Sequence, residues 1–87
     1  MPDQELKASI SELKAQLDQM EQVADADRES LEELTGRIEL MMAQERDRWE
    51  SNLVDELERQ VILYEDEHPT LARVIRQIAL TLNNMGL

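Results

Sequence analysis

The chain predicts an all-α fold in which antiparallel helical hairpins form a small four-helix, coiled-coil-like bundle, completed by self-association. Three observations predict it. Apolar residues recur every three or four positions along most of the length. Glycine and proline are down to two each, and period-two alternation and Asn-Gly or Asp-Gly hairpin turns are missing. Eighty-seven residues with one Trp, one Tyr and no Phe allow a single modest core. A chain so close to the lower size limit for an independent core gains much from burying surface against another copy.

The first helix is predicted over residues 3–22. Leu6, Ile10, Leu13, Leu17 and Met20 step by 4, 3, 4, 3. They fall in a strip roughly 80° wide, which matches a seam between paired helices. Asp3 is placed to cap this helix, with Glu5 in its first turn. The second helix is predicted over 27–45, with Leu31, Leu34, Ile38 and Met41 as its seam and Met42 widening it. Between the two lies the polar connection Gln22 to Asp27. Asp25 or Asp27 can cap the second helix there, and Ser30-Leu31-Glu32-Glu33 is a competing capping box. A connection this short makes the pair an antiparallel hairpin spanning 3–45.

The seam loses phase in QERDRWESN, residues 44–52, where its continuation would turn Glu45, Arg48 and Asn52 inward. The sequence predicts a break near 46–51, with Ser51 or Asn52 capping the third helix. One continuous helix of roughly 40 residues with a local stutter is the alternative. Trp49 in this stretch either covers the end of the core or stands out as an anchor for a partner. The third helix, over 52–66, restarts the register at Leu53, Leu57, Val61 and Tyr64.

His68-Pro69 starts the last helix, over 69–85, and closes a second hairpin, 52–87. Proline at the first helical position loses no hydrogen bond, and it pushes His68 out of the α region into a cap. Glu65, Asp66 and Glu67 then precede the positive end of that helix and stand unfavourably at the negative end of the third. A stop, a turn and a start are thus written in one short stretch. The rival reading makes His68 a catalytic base or metal ligand. It lacks a nucleophile, an orienting partner, a cysteine and a calcium-binding loop.

Leu71, Val74, Ile75, Ile78, Leu82 and Met85 share one face of the last helix, widened by Ala72 and Ala79, so this helix is expected to lie centrally. Ile62, Leu63, Leu80 and Leu87 fall off the core faces and, with Trp49, are the candidate interface residues. Gly86 suits a left-handed helix stop, from which Leu87 folds back onto the last turn.

Twenty acids against nine bases give a formal charge of −11, which opposes binding to nucleic acid or to anionic membranes. Residues 70–87 break the pattern, with Arg73 and Arg76 and no acid. The longest bulky apolar run, Val61 to Tyr64, is far short of the ~20 residues of a membrane span. The acidic opening Met-Pro-Asp-Gln-Glu offers no secretory signal, so a soluble cytoplasmic protein is expected. No cofactor is expected.

The stretch Tyr64-Glu65-Asp66-Glu67-His68-Pro69-Thr70-Leu71, with the closing Leu82-Asn83-Asn84-Met85-Gly86-Leu87, resembles a family of small bacterial proteins known as domain of unknown function 4404. Its pattern is an aromatic, Glu, two variable residues and His-Pro-x-Leu, then an apolar helix ending Met/Leu-Gly-Ile. Tyr64 stands where the family more often has Phe, and Leu87 where it often has Ile. The likeness is specific over 53–87; in the N-terminal hairpin only the apolar spacing agrees, and the family's middle connection is often richer in proline. The resemblance implies a small soluble helical bacterial protein and no particular activity.

The sequence supports three functional expectations. The first is a non-enzymatic, self-associating interaction module, a homodimer by preference, which serves as a scaffold or adaptor. The second is an acidic decoy for the basic surface of a nucleic-acid-binding partner. The third is a site centred on His68.

Overall fold

The computed structural model describes residues 2–20 and 24–87. Among them are four α-helices, α1 (Pro2–Gln19), α2 (Asp25–Met42), α3 (Leu53–Tyr64) and α4 (Pro69–Asn84). A short 3₁₀ turn, Arg46–Arg48, lies between α2 and α3. The four pack into a bundle measuring 37 × 22 × 20 Å. An 18-residue helix rises about 27 Å, so α1 and α2 run most of the long dimension.

The order around the bundle follows from the contacts. The α3–α4 hairpin is the most closely packed pair, α1 lies against α4, and α1 touches α2 more sparsely. Side chains close the ring between α2 and α3. Arg37, late in α2, bridges Glu56 at the start of α3 (2.8 Å) and Glu50 in the connection (2.9 Å). At the other end, the Tyr64 hydroxyl at the close of α3 meets Asp27 at the start of α2. The helices therefore run up, down, up, down.

The seam residues make the core. Leu6, Leu13, Leu31, Ile38, Leu53, Leu57, Leu71, Ile75, Ile78 and Leu82 are fully buried. α4 contributes most of its length, as the width of its apolar face foretells. Ala72 and Ala79 border that face on the side of Arg76, whose guanidinium reaches Glu65 (3.5 Å). Small residues at these two positions let α3 approach α4 closely. Thr35 and Thr81 are buried, but each hydroxyl donates to a carbonyl four residues back, Leu31 and Gln77. Among the described residues no buried side-chain polar atom lacks a partner.

Several boundaries differ from the expectation, for local reasons. α1 begins at Pro2, whose fixed φ suits a first turn, so Asp3 sits inside that turn and does not precede it. The predicted end of α1 at 22 and the start of the connection at Gln22 lie outside the described residues. The N-cap position of α2 is Ala24, with no side-chain capping bond. Asp25 and Asp27 occupy its first turn and act on the helix dipole, and Ser30 lies within the helix. α2 stops at Met42, three residues early, where the amides of Ala43 and Gln44 bond to Leu40 and Met41 in a tightened last turn. α3 begins after Asn52, which makes no side-chain cap.

Neither α1 nor α2 carries a basic residue in its last turn. For α1 the cation comes from another helix. Arg28 of α2 donates through both terminal nitrogens to the carbonyl oxygens of Leu17 and Met20. These carbonyls lie at the negative end of α1, where a cation acts favourably on the helix dipole.

α4 ends as its sequence implies. Gly86 has φ +103°, its amide donates to Asn83, and the Leu87 amide reaches back to Leu82 (3.1 Å). This double bond across a left-handed residue is the Schellman stop.

Candidate interaction surface

The α3–α4 turn is built by its backbone. The Glu65 amide donates to Val61 and the His68 amide to Tyr64 (2.7 Å), which ends α3. The His68 carbonyl accepts from Ala72, opening α4 with Pro69 at its first position. His68 holds the N-cap position at φ −134°, but its ring makes no capping hydrogen bond. The ring is half-buried and tilted against Tyr64, centroids 6.2 Å apart. The Glu65 carboxylate turns to Arg76. Among the described residues no three His, Asp or Glu side chains converge to hold a metal ion.

Tyr64, at this end, is strongly perturbed. Burial pushes its hydroxyl up to about 12, and the charge of Asp27 and the hydrogen bond to its carboxylate act in the same direction. The phenol is a structural donor linking α3 to α2.

The five candidate interface residues divide into two sets. Ile62 and Leu63 are 69% and 67% exposed on α3, and Leu80 is 51% exposed on α4. Trp49 and Leu87 are instead half-buried and packed against the core. The Trp49 indole donates to the Gln44 carbonyl (3.1 Å), which ties the ring over the end of the bundle where α2 stops. Leu87 is drawn in by the Gly86 turn. The off-axis position that suggested an outward side chain for Leu87 holds only for a helix continued past Asn84, and the helix ends there.

Sequence reasoning missed Leu40, which at 70% is the most exposed large apolar residue among those described. Its signal was present, since it follows the seam residue Ile38 by two positions and so points away from the seam.

The flanks of α3 and α4 can be assigned from the ion pairs. Glu56 faces α2 through Arg37, so Glu58, two residues on, lies on the opposite flank, towards α4. Ile62 and Glu65 continue that flank at helical spacing, and Glu65 meets Arg76. On α4, Leu80 lies one turn beyond Arg76, with Asn83 after it. The outer α3/α4 face thus carries an acidic row on α3 and an acid-free row on α4, with one exposed apolar residue in each. Shallow clefts along the α1–α2 side are lined by Lys7, Lys14, Glu39 and Met42 and hold no cluster of catalytic type.

No helix is long and apolar enough to cross a membrane among the described residues. No curated protein and no solved structure matches the chain. Residues 6–87, nearly the whole length, match the family described as Domain of unknown function (DUF4404), and the chain belongs to that family.

Proposed function

We propose that this protein is a non-enzymatic cytoplasmic interaction module that associates with itself, a homodimer by preference, and so presents a paired scaffold to other proteins. The observation that supports the reading is the exposure of Ile62, Leu63 and Leu80 on helices whose core faces are already filled. Leucine and isoleucine at such positions contribute nothing to the single-chain core, and covering them against a second copy removes their apolar area from water. The exposed carboxylates lie on α1, α2, α3 and the α3–α4 turn, not in one strip, which favours self-association over an acidic decoy.

Light scattering at tens of micromolar tests it. The expected mass is about twice that of one chain, falling to one chain in Leu80→Glu. A clean monomer, unchanged by Leu80→Glu, overturns the proposal.

A further inference from the structure

We infer that the second copy docks crosswise on the outer α3/α4 face, α3 of each chain lying on α4 of the other about a two-fold axis parallel to the helices. This rests on the self-association reading and goes beyond it by naming the surface and its register.

The charges of the face carry the inference. Its α3 row is Glu58, Ile62 and Glu65; its α4 row is Arg73, Arg76, Leu80 and Asn83, in the longest acid-free stretch of the chain. A two-fold dimer joins one patch to itself, so every contact occurs twice. A face whose two rows run side by side can meet its copy in two ways. An axis across the helices lays α3 on α3, antiparallel, so that the acidic row of Glu58 and Glu65 meets the same acidic row of the other copy, and lays α4 on α4, the arginine row on the arginine row. An axis along the helices lays the acidic row on the basic row, twice. In a protein of net charge −11 the first arrangement adds local repulsion to a general one, and the second offsets it.

The arginines are free to take part. Arg73 pairs with Glu12 at 3.3 Å and Arg76 with Glu65 at 3.5 Å, and all four side chains are about half exposed or more. Such pairs are weak and solvent-screened. On docking, Arg76 keeps Glu65 within its own chain and gains the other chain's carboxylates. Ile62 and Leu80, one in each row, are covered in the same step.

Charge reversal separates this from self-association in general. Arg73→Glu/Arg76→Glu places acid opposite acid and is expected to weaken the dimer at least about tenfold in sedimentation equilibrium. Adding Glu58→Arg/Glu65→Arg to the same chain exchanges the two rows, preserves the pairing at 65 and 76 within the chain, and is expected to restore the dimer. Far-UV circular dichroism checks that both variants keep their helices. If the wild type dimerises and the double reversal leaves it unchanged, or the fourfold exchange fails to restore it, the crosswise arrangement falls and self-association stands. If the wild type is monomeric, both fall.

Discussion

Gly36 and Gly86 are the same residue type under opposite constraints. Gly36 lies inside α2, and an added Cβ there meets no atom within 4 Å. Its cost is backbone freedom in the unfolded chain, so Gly36→Ala is expected to stabilise the protein by about 0.5–1 kcal/mol. Gly86 also has open space around it, but its φ of +103° is one that L residues avoid. Gly86→Ala is expected to cost about 1 kcal/mol and to loosen Leu87 from the core. Thermal denaturation of the two variants should move in opposite directions; a shared sign would disprove the conformational account.

Tyr64 makes a second prediction at this scale. Its folded-state value, about 12, lies above the ordinary 10 of an unfolded tyrosine. The native state therefore holds the phenolic proton more tightly. The corresponding stability is complete below pH 10 and is lost as pH rises through about 12. In Tyr64→Phe this alkaline loss should shrink relative to wild type when urea midpoints are compared from about pH 9 to about pH 12. Asp27 is solvent-exposed, so removing the hydroxyl strands no buried acceptor, and the penalty near neutrality should stay at about 0.5–1.5 kcal/mol.

Among the elements, α4 binds the fold together and α2 is held least. α4 packs on both α3 and α1, whereas α2 has a narrow seam, a sparse contact with α1 and side-chain bridges to α3. Native-state hydrogen exchange should rank the helices accordingly, with α4 most protected and α2 opening first. Equal protection along α2 and α4 would refute this. Ile75→Ala or Ile78→Ala, in the fully buried face of α4, should cost about 2–5 kcal/mol.

The same contrast explains which features were legible in the sequence. The four helices, the proline-led start of α4 and the glycine stop were readable because each depends on spacing or on one residue's backbone preference. The start of α2 was not. Three plausible caps competed, and the helix uses none, since Arg28 and Tyr64 anchor that end through partners distant in sequence. Arg37 was equally hidden, because its bridge to Glu50 and Glu56 exists only after α2 and α3 are side by side. Trp49 and Leu87 were ambiguous for a related reason. Both lie beyond helix ends, where wheel position no longer decides which way a side chain turns.

For the whole molecule, the number of residues and the distribution of charge act together. An 87-residue bundle has a limited core, and among the described residues four large apolar side chains, Leu40, Ile62, Leu63 and Leu80, remain outside it. If the dimer forms as proposed, stability is linked to concentration by mass action, and the melting temperature should rise with protein concentration over roughly a hundredfold range. The Leu80→Glu variant should melt at a temperature independent of concentration. A wild-type curve that does not move would argue for a monomer.

The indole of Trp49 sits beside the close of α2, and the phenol of Tyr64 sits against the opening of the same helix, so the two chromophores mark opposite poles of the bundle. The protein thus carries its own pair of optical reporters, one for each pole, with no label required. Fluorescence and ultraviolet absorbance recorded in one denaturant series would report whether both poles melt together or one frays ahead of the other.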